Sequence, residues 1–119
     1  TGQAAAGAGW QPWSAQQVQE LTAAGKPVFI DFTAAWCITC QYNKRNALAD
    51  AQVLADFAAK GVTLLRADWT RRDPAITAAL ADLGRNGVPV YVLVAPGRTP
   101  VVMSEILSVS ELRAALAML

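Results

Sequence analysis

Two cysteines stand three positions apart in Trp36-Cys37-Ile38-Thr39-Cys40, directly after the apolar run Val28-Phe29-Ile30-Asp31-Phe32-Thr33. That run is rich in β-formers and apolar on both faces of its alternation, which suits a central strand covered on both sides. Cysteines at this spacing at a helix start share one face within a turn, close enough to bridge. The chain has no further cysteine and no histidine. A structural zinc site needs about four ligands, so this pair cannot complete one. A fixed disulfide closing so short a loop restrains the unfolded chain very little. Redox exchange is the reading that uses both thiols. Free amides and the helix dipole at the helix start favour a Cys37 thiolate, whereas Cys40, a turn deeper, is expected to be less exposed and higher in pKa. Cys37 then attacks a partner disulfide and Cys40 resolves the mixed disulfide; run backwards, the same steps oxidise a partner.

The missing histidine also excludes a Ser-His-Asp triad and a Cys-His dyad. With 119 residues the chain has room for one compact domain, expected to be monomeric, and its 54% hydrophobic, 16% charged composition excludes a disordered tail. The formal charge of +1 carries no basic stripe of the kind a nucleic-acid binder uses. No apolar run approaches the roughly 18–20 residues that span a bilayer. Residues 1–9, Ala/Gly-rich, read as a flexible linker ahead of a domain over 10–119. Such a start suits a domain cut from a longer protein or a processed chain.

Local signals order the elements. Ser14-Ala15-Gln16-Gln17 is a capping box for a helix that runs to about Ala24 and stops at Gly25 before Pro27. A second helix starts at Cys37 and runs through Asn46. Asp50 caps a third, with Val53, Leu54 and Phe57 on one face and an end at Gly61. The next strand is Val62–Ala67. Asp73-Pro74 opens a helix with Ile76, Ala79, Leu80 and Leu83 at buried-stripe spacing. Gly87-Val88-Pro89 leads into a strand over Val90–Ala95, Pro96-Gly97 turns it, and Pro100–Ser104 returns as an antiparallel edge strand. A second capping box, Ser108 to Glu111, opens a last helix with Leu112, Leu116 and Leu119 on one face. Helices alternating with strands, then a hairpin, predict an α/β fold: a mixed sheet with helices on both faces.

Asp31-Phe32, Trp36-Cys37-x-x-Cys40 and the later Gly87-Val88-Pro89 resemble the thioredoxin superfamily over about Trp10–Leu119. That resemblance implies a thioredoxin-like fold, a cis-proline at Pro89 facing the cysteines, and substrate contacts at Trp36, Ile38, Thr39, Val88 and Pro89. Ala34-Ala35 before Trp36, together with Ala67-Asp68-Trp69-Thr70 and Gly84-Arg85-Asn86 before Gly87, is similar to the C-terminal domains of the DsbD family. This implies a periplasmic domain of an inner-membrane protein. It would accept electrons from a membrane domain and donate them to an N-terminal periplasmic domain through the Cys37/Cys40 dithiol, with no dissociable cofactor and no metal. Two other readings stay open: another thioredoxin-like reductase, cytosolic or in cytochrome maturation, and a non-catalytic module that binds metal or a partner.

Asp31 falls on the same side of its strand as Phe29 and Thr33, so burial should raise its pKa. The resemblance implies that it relays a proton from Cys40; the competing reading is a carboxylate that caps or pairs locally. Lys44, on the Cys40 face of its helix, departs from the acidic residue common in DsbD-like domains. Either it favours the Cys37 thiolate or it is a solvated lysine. Trp36 shields the pair or meets partners, Trp69 packs near the same sheet end or in the core, and Trp10 and Trp13 fasten the N-terminal segment. Arg71, Arg72 and Asp73 read as a solvated helix start. Ile38 and Thr39 tune the potential, and the lack of proline between the cysteines separates this site from thioredoxin itself.

Overall fold

In the computed structural model, which describes residues 9–119, β2 (Val28–Thr33) is buried at all six positions and lies at the middle of a five-stranded sheet. The sheet order is β1-β3-β2-β4-β5, with β1 (Trp10–Pro12), β3 (Thr63–Asp68), β4 (Val90–Val94) and β5 (Val101–Val102). β1, β3 and β2 run parallel, whereas β4 is antiparallel to β2 and β5 to β4. The linker expected over residues 1–9 lies, apart from Gly9, outside the described residues.

Alternation along β2 splits the core in two. Val28, Ile30 and Phe32 join Leu65, Ala67, Val90 and Val92 beneath α1 (Ala15–Ala23) and α4 (Pro74–Asp82), the latter contributing Ile76 and Leu80. Phe29 faces the other way with Tyr91 and Leu93, beneath α3 (Ala51–Ala59) and α5 (Val109–Ala117), which supply Val53, Phe57, Leu112 and Leu116. Asp31 and Thr33 continue this second face towards α2 (Ile38–Arg45). The two N-terminal tryptophans clasp opposite faces of β2: Trp10 meets Phe29 and Trp13 meets Phe32, each with ring centroids 6.2 Å apart.

The caps form as their sequences direct. Ser14 Oγ accepts from Gln17 N, Asp50 from Gln52 N and Val53 N, Asp73 from Ala75 N and Ile76 N, and Ser108 from Glu111 N. Neither capping box closes reciprocally, because better partners lie nearby. Gln17 Nε2 donates to Gln11 Oε1 on β1 at 2.7 Å, and the Glu111 carboxylate accepts from Ser104 N and Oγ.

Three further details differ from the sequence reading. β1 is a three-residue strand ending in proline, too short to show a period, and forms because Trp10 finds a place on the core. A 3₁₀ turn, Ala47–Ala49, follows α2 and buries Ala47 and Leu48. Leu54 is 41% exposed, since the α3 face turned to the sheet is the one bearing Val53 and Phe57. Leu80→Ala is therefore expected to cost about 2–5 kcal/mol in urea unfolding, and Leu54→Ala about 0.5 kcal/mol. Equal losses would mean that α3 sits differently on the sheet.

Candidate redox site

The chain leaves the C-terminal end of β2 through Ala34, Ala35 and Trp36 and enters α2 with Cys37 as its N-cap residue. Cys37 and Cys40 form a disulfide with Cα atoms 5.2 Å apart. Cys37 Sγ accepts from Cys40 N at 3.1 Å, so the sulfur occupies the position where an N-cap oxygen satisfies a helix-start amide. Cys37 is 7% exposed and Cys40 fully buried, while Ile38 between them is 85% exposed and Thr39 half-buried. Both cysteines are thus buried, Cys37 being the more exposed of the two.

The loop before α2 is held from the β3–α4 connection. Ala35 N donates to Thr70 Oγ1 at 2.8 Å and Trp36 Nε1 to Thr70 O at 3.0 Å. Thr70 is fixed in turn by the Asp68 carboxylate. Trp36 is half exposed, and its ring lies 6.0 Å from that of buried Trp69, whose Nε1 donates to Thr77 Oγ1. Arg72 places its guanidinium 5.3 Å and 5.1 Å from these two ring centroids. Its backbone has φ 54°, a left-handed conformation for a non-glycine residue, in a turn closed by Arg72 N donating to Trp69 O. Arg72 is exposed at the helix start and also touches the rim formed by these rings, while Asp73 caps α4 as described.

From the opposite side comes the segment before β4. The Val88–Pro89 bond is cis, Pro89 is buried, and Val88 packs against Ala34, Cys37 and Cys40. Beneath α2, fully buried Asn43 donates from Nδ2 to Tyr91 Oη and to Glu105 O, both at 2.8 Å. Its Oδ1 accepts from Leu107 N at 3.1 Å. A polar side chain inside α2 thereby ties the redox helix to β4 and to the loop between β5 and α5.

Asp31 lies on the sheet under α2, paired with Arg66 on β3 and with Tyr91 on β4. It is fully buried but not an unpaired acid: Arg66 Nε donates to Asp31 Oδ2 at 3.0 Å. Burial raises the Asp31 pKa above the ordinary carboxylate range, and the charges of Arg66 and Lys44 pull it part of the way back. Lys44, half-buried on α2, has its own pKa lowered by burial and partly restored by Asp31. Burial, followed by the nearby Asp31 charge, raises the Tyr91 pKa as well. Sequence patterns did not single out Arg66 or Asn43, and Thr70 entered only within the Ala67-Asp68-Trp69-Thr70 segment, with no role given. Arg66 leaves a signal of its own, as the lone charge within the apolar run Val62–Ala67, opposite in sign to Asp31 in the run Val28–Thr33.

A buried strand ending in a CxxC disulfide at a helix N-terminus, faced by a cis-proline segment, defines a thiol–disulfide oxidoreductase site. The chain belongs to the thioredoxin-like family, whose profile matches residues 9–96. DsbD 1 of Pseudomonas aeruginosa, a thiol:disulfide interchange protein, is 40% identical over 78 residues, covering 66% of this chain and 13% of that protein. DsbD of Ralstonia nicotianae is 44% identical over 55 residues, 46% of this chain and 9% of its own length. The chain thus matches only 13% and 9% of the lengths of these curated relatives. The fold is shared with the oxidised C-terminal domain of Neisseria meningitidis DsbD, at TM-score 0.73 and 20% identity over 90% of this chain and 96% of that one. It is shared too with a Thermus thermophilus thioredoxin, at TM-score 0.69 and 19% identity over 92% and 84%. Exchange at this site stores its electrons in the Cys37/Cys40 pair. Among the described residues no cluster of His, Cys, Asp or Glu could hold a metal ion.

A raised native pKa makes the charged form of Asp31 costly. Its contribution to stability is greatest below its unfolded value of about 3.9 and is lost as pH rises through the folded value. Asp31→Asn, which keeps an acceptor for Arg66, is therefore expected to unfold at higher urea than the parent at pH 7 to 8, with the two converging near pH 3. A parent that is the more stable at pH 7 would show that ion pairing outweighs burial.

Proposed function

We propose that this chain is the C-terminal periplasmic domain of a DsbD-type reductase, accepting electrons from a membrane domain and donating them to a periplasmic partner domain. The observation that carries the reading is the Cys37–Cys40 disulfide at a helix N-terminus in a chain whose curated relatives include DsbD proteins at 40% and 44% identity. In the donating direction the reduced domain presents the Cys37 thiolate. Its sulfur attacks one sulfur of a partner disulfide, forming a mixed disulfide and releasing one partner thiolate. Cys40 then loses its proton, with Asp31 as the acceptor, and attacks Cys37 Sγ. The Cys37–Cys40 bond forms, the second partner thiolate leaves, and two electrons have passed to the partner.

Burial supports Asp31 in that role, because a carboxylate whose pKa is raised by desolvation holds a proton more readily than an ordinary one. Trp36, Ile38, Thr39, Val88 and Pro89 border the sulfurs and form the surface on which the partner chain rests. Half-exposed Trp36 and strongly exposed Ile38 offer it apolar contact. Lys44 acts on the thiols chiefly through Asp31, which it helps keep ionised.

The first test is the equilibrium reduction potential of the pair, read from tryptophan fluorescence in thiol redox buffers, since Trp36 adjoins the sulfurs. A value of roughly −200 to −270 mV is expected of an electron donor; one near about −120 mV marks an oxidant and removes the reductase reading. A kinetic test follows from the roles of the residues. Cys40→Ala should accumulate a mixed disulfide through Cys37, Cys37→Ala should form none, and Asp31→Asn should slow release of the mixed disulfide about 10-fold or more. An unchanged release rate removes Asp31 from the mechanism. Lys44→Glu is expected to raise the Cys37 thiol pKa; an unaltered titration assigns Lys44 to the surface alone.

A further inference from the structure

Arg66 lies between two groups that come from opposite ends of the story of this fold. On one side its Nε donates to buried Asp31 at 3.0 Å; on the other its guanidinium carbon stands 4.1 Å from the centroid of the Trp10 ring. Trp10 belongs to β1, the edge strand nearest the N-terminus, and is itself only 8% exposed. β1 also grips the backbone of Arg66, since Pro12 stands opposite it in register and Trp13 N donates to Arg66 O at 3.0 Å. The Arg66 side chain keeps 17% exposure, the Asp31 side chain none.

We propose that β1 is a positioning strap: the Trp10 ring holds the Arg66 guanidinium against the Asp31 carboxylate, so docking of this N-terminal strand sets the acid beneath the Cys37–Cys40 pair. A long, rotamer-rich side chain next to a sheet edge keeps one geometry when it is packed on its apolar face and bonded at its head. The indole supplies the packing and excludes water from that face, which strengthens the field of the guanidinium at Asp31. Removing the ring frees the side chain to swing towards solvent and lets water screen it. The other groups that face Asp31, Lys44 from α2 and the Tyr91 hydroxyl from β4, remain in place. The inference rests on the exchange role of Asp31 and adds that Trp10 and Arg66 are positioning residues for it. The segment through which the chain enters the domain is thereby coupled to the site.

The test is a pH titration of the Asp31 carboxyl carbon by NMR in the oxidised domain, paired with the pH profile of mixed-disulfide release. Arg66→Gln should raise the Asp31 midpoint by about one unit or more. Trp10→Leu should move it in the same direction by less, and Trp10→Phe, which keeps an aromatic face, should restore most of the parent value. Arg66→Lys keeps the charge without the flat stacking surface, so an intermediate shift is expected, and it serves where Trp10→Leu does not fold. Phe57→Leu removes a ring from the same core cluster away from Arg66 and should leave the midpoint where it was. A Trp10→Leu midpoint equal to that of Phe57→Leu overturns the strap, as does an Arg66→Lys midpoint equal to that of the parent. Midpoints that move as expected while the release profile stays fixed uphold the strap and instead remove Asp31 from the exchange reaction.

Discussion

Burial of β2 on both faces is the constraint from which the rest of the architecture follows. A strand with no solvent side must be covered by two layers of helices and flanked by two strands. Its alternating residues then nucleate two separate cores, Val28, Ile30 and Phe32 on one side and Phe29 on the other. The redox pair sits where this strand ends, and the loop that carries it inherits the rigidity of the sheet. Thr70 from the next crossover and the cis Val88–Pro89 segment close on that loop from two sides. Sulfur chemistry that depends on which thiol is exposed gains from such a mounting, because it holds Cys37 at the helix start and Cys40 a turn deeper.

The same burial creates the one electrostatic difficulty of the fold, a carboxylate on the central strand. Asp31 is accommodated by an arginine from the neighbouring strand and the field of a lysine from the helix above, which offset only part of the desolvation. Buried ion pairs are poor stabilisers, since desolvation of the charges cancels much of their attraction. The proton-transfer role proposed for Asp31 would account for its retention. The ion pair also ties the N-terminal strand to the site, through the stack of Trp10 on Arg66.

Much of this was legible in one dimension because it is written in local patterns. The CxxC after an apolar strand, the caps at Ser14, Asp50, Asp73 and Ser108, and the buried stripe of α4 depend on neighbours within a turn or two. Failures came where a side chain chose a distant partner over a near one. Gln17 bonds Gln11 instead of closing its box, Glu111 bonds Ser104, and Leu54 faces outward because α3 is rotated by the packing of Val53 and Phe57. Arg72 is exposed, as a solvated helix start should be, and its guanidinium also lies over two tryptophan rings that meet only in the folded chain.

The sequence by itself determined the class of fold and the chemistry of the site. Alternation, helical spacing and capping are short-range physics, and two cysteines without a histidine leave few other reactions. Only the tertiary structure decided the environment of the acid. Arg66, Lys44 and Tyr91 bear on Asp31 from three different elements, and Trp10 stacks behind Arg66 from a fourth. Their separation along the chain carries no information about a distance of a few ångströms across a sheet. Field strength and water exclusion, which set a pKa, depend on that distance and on nothing local.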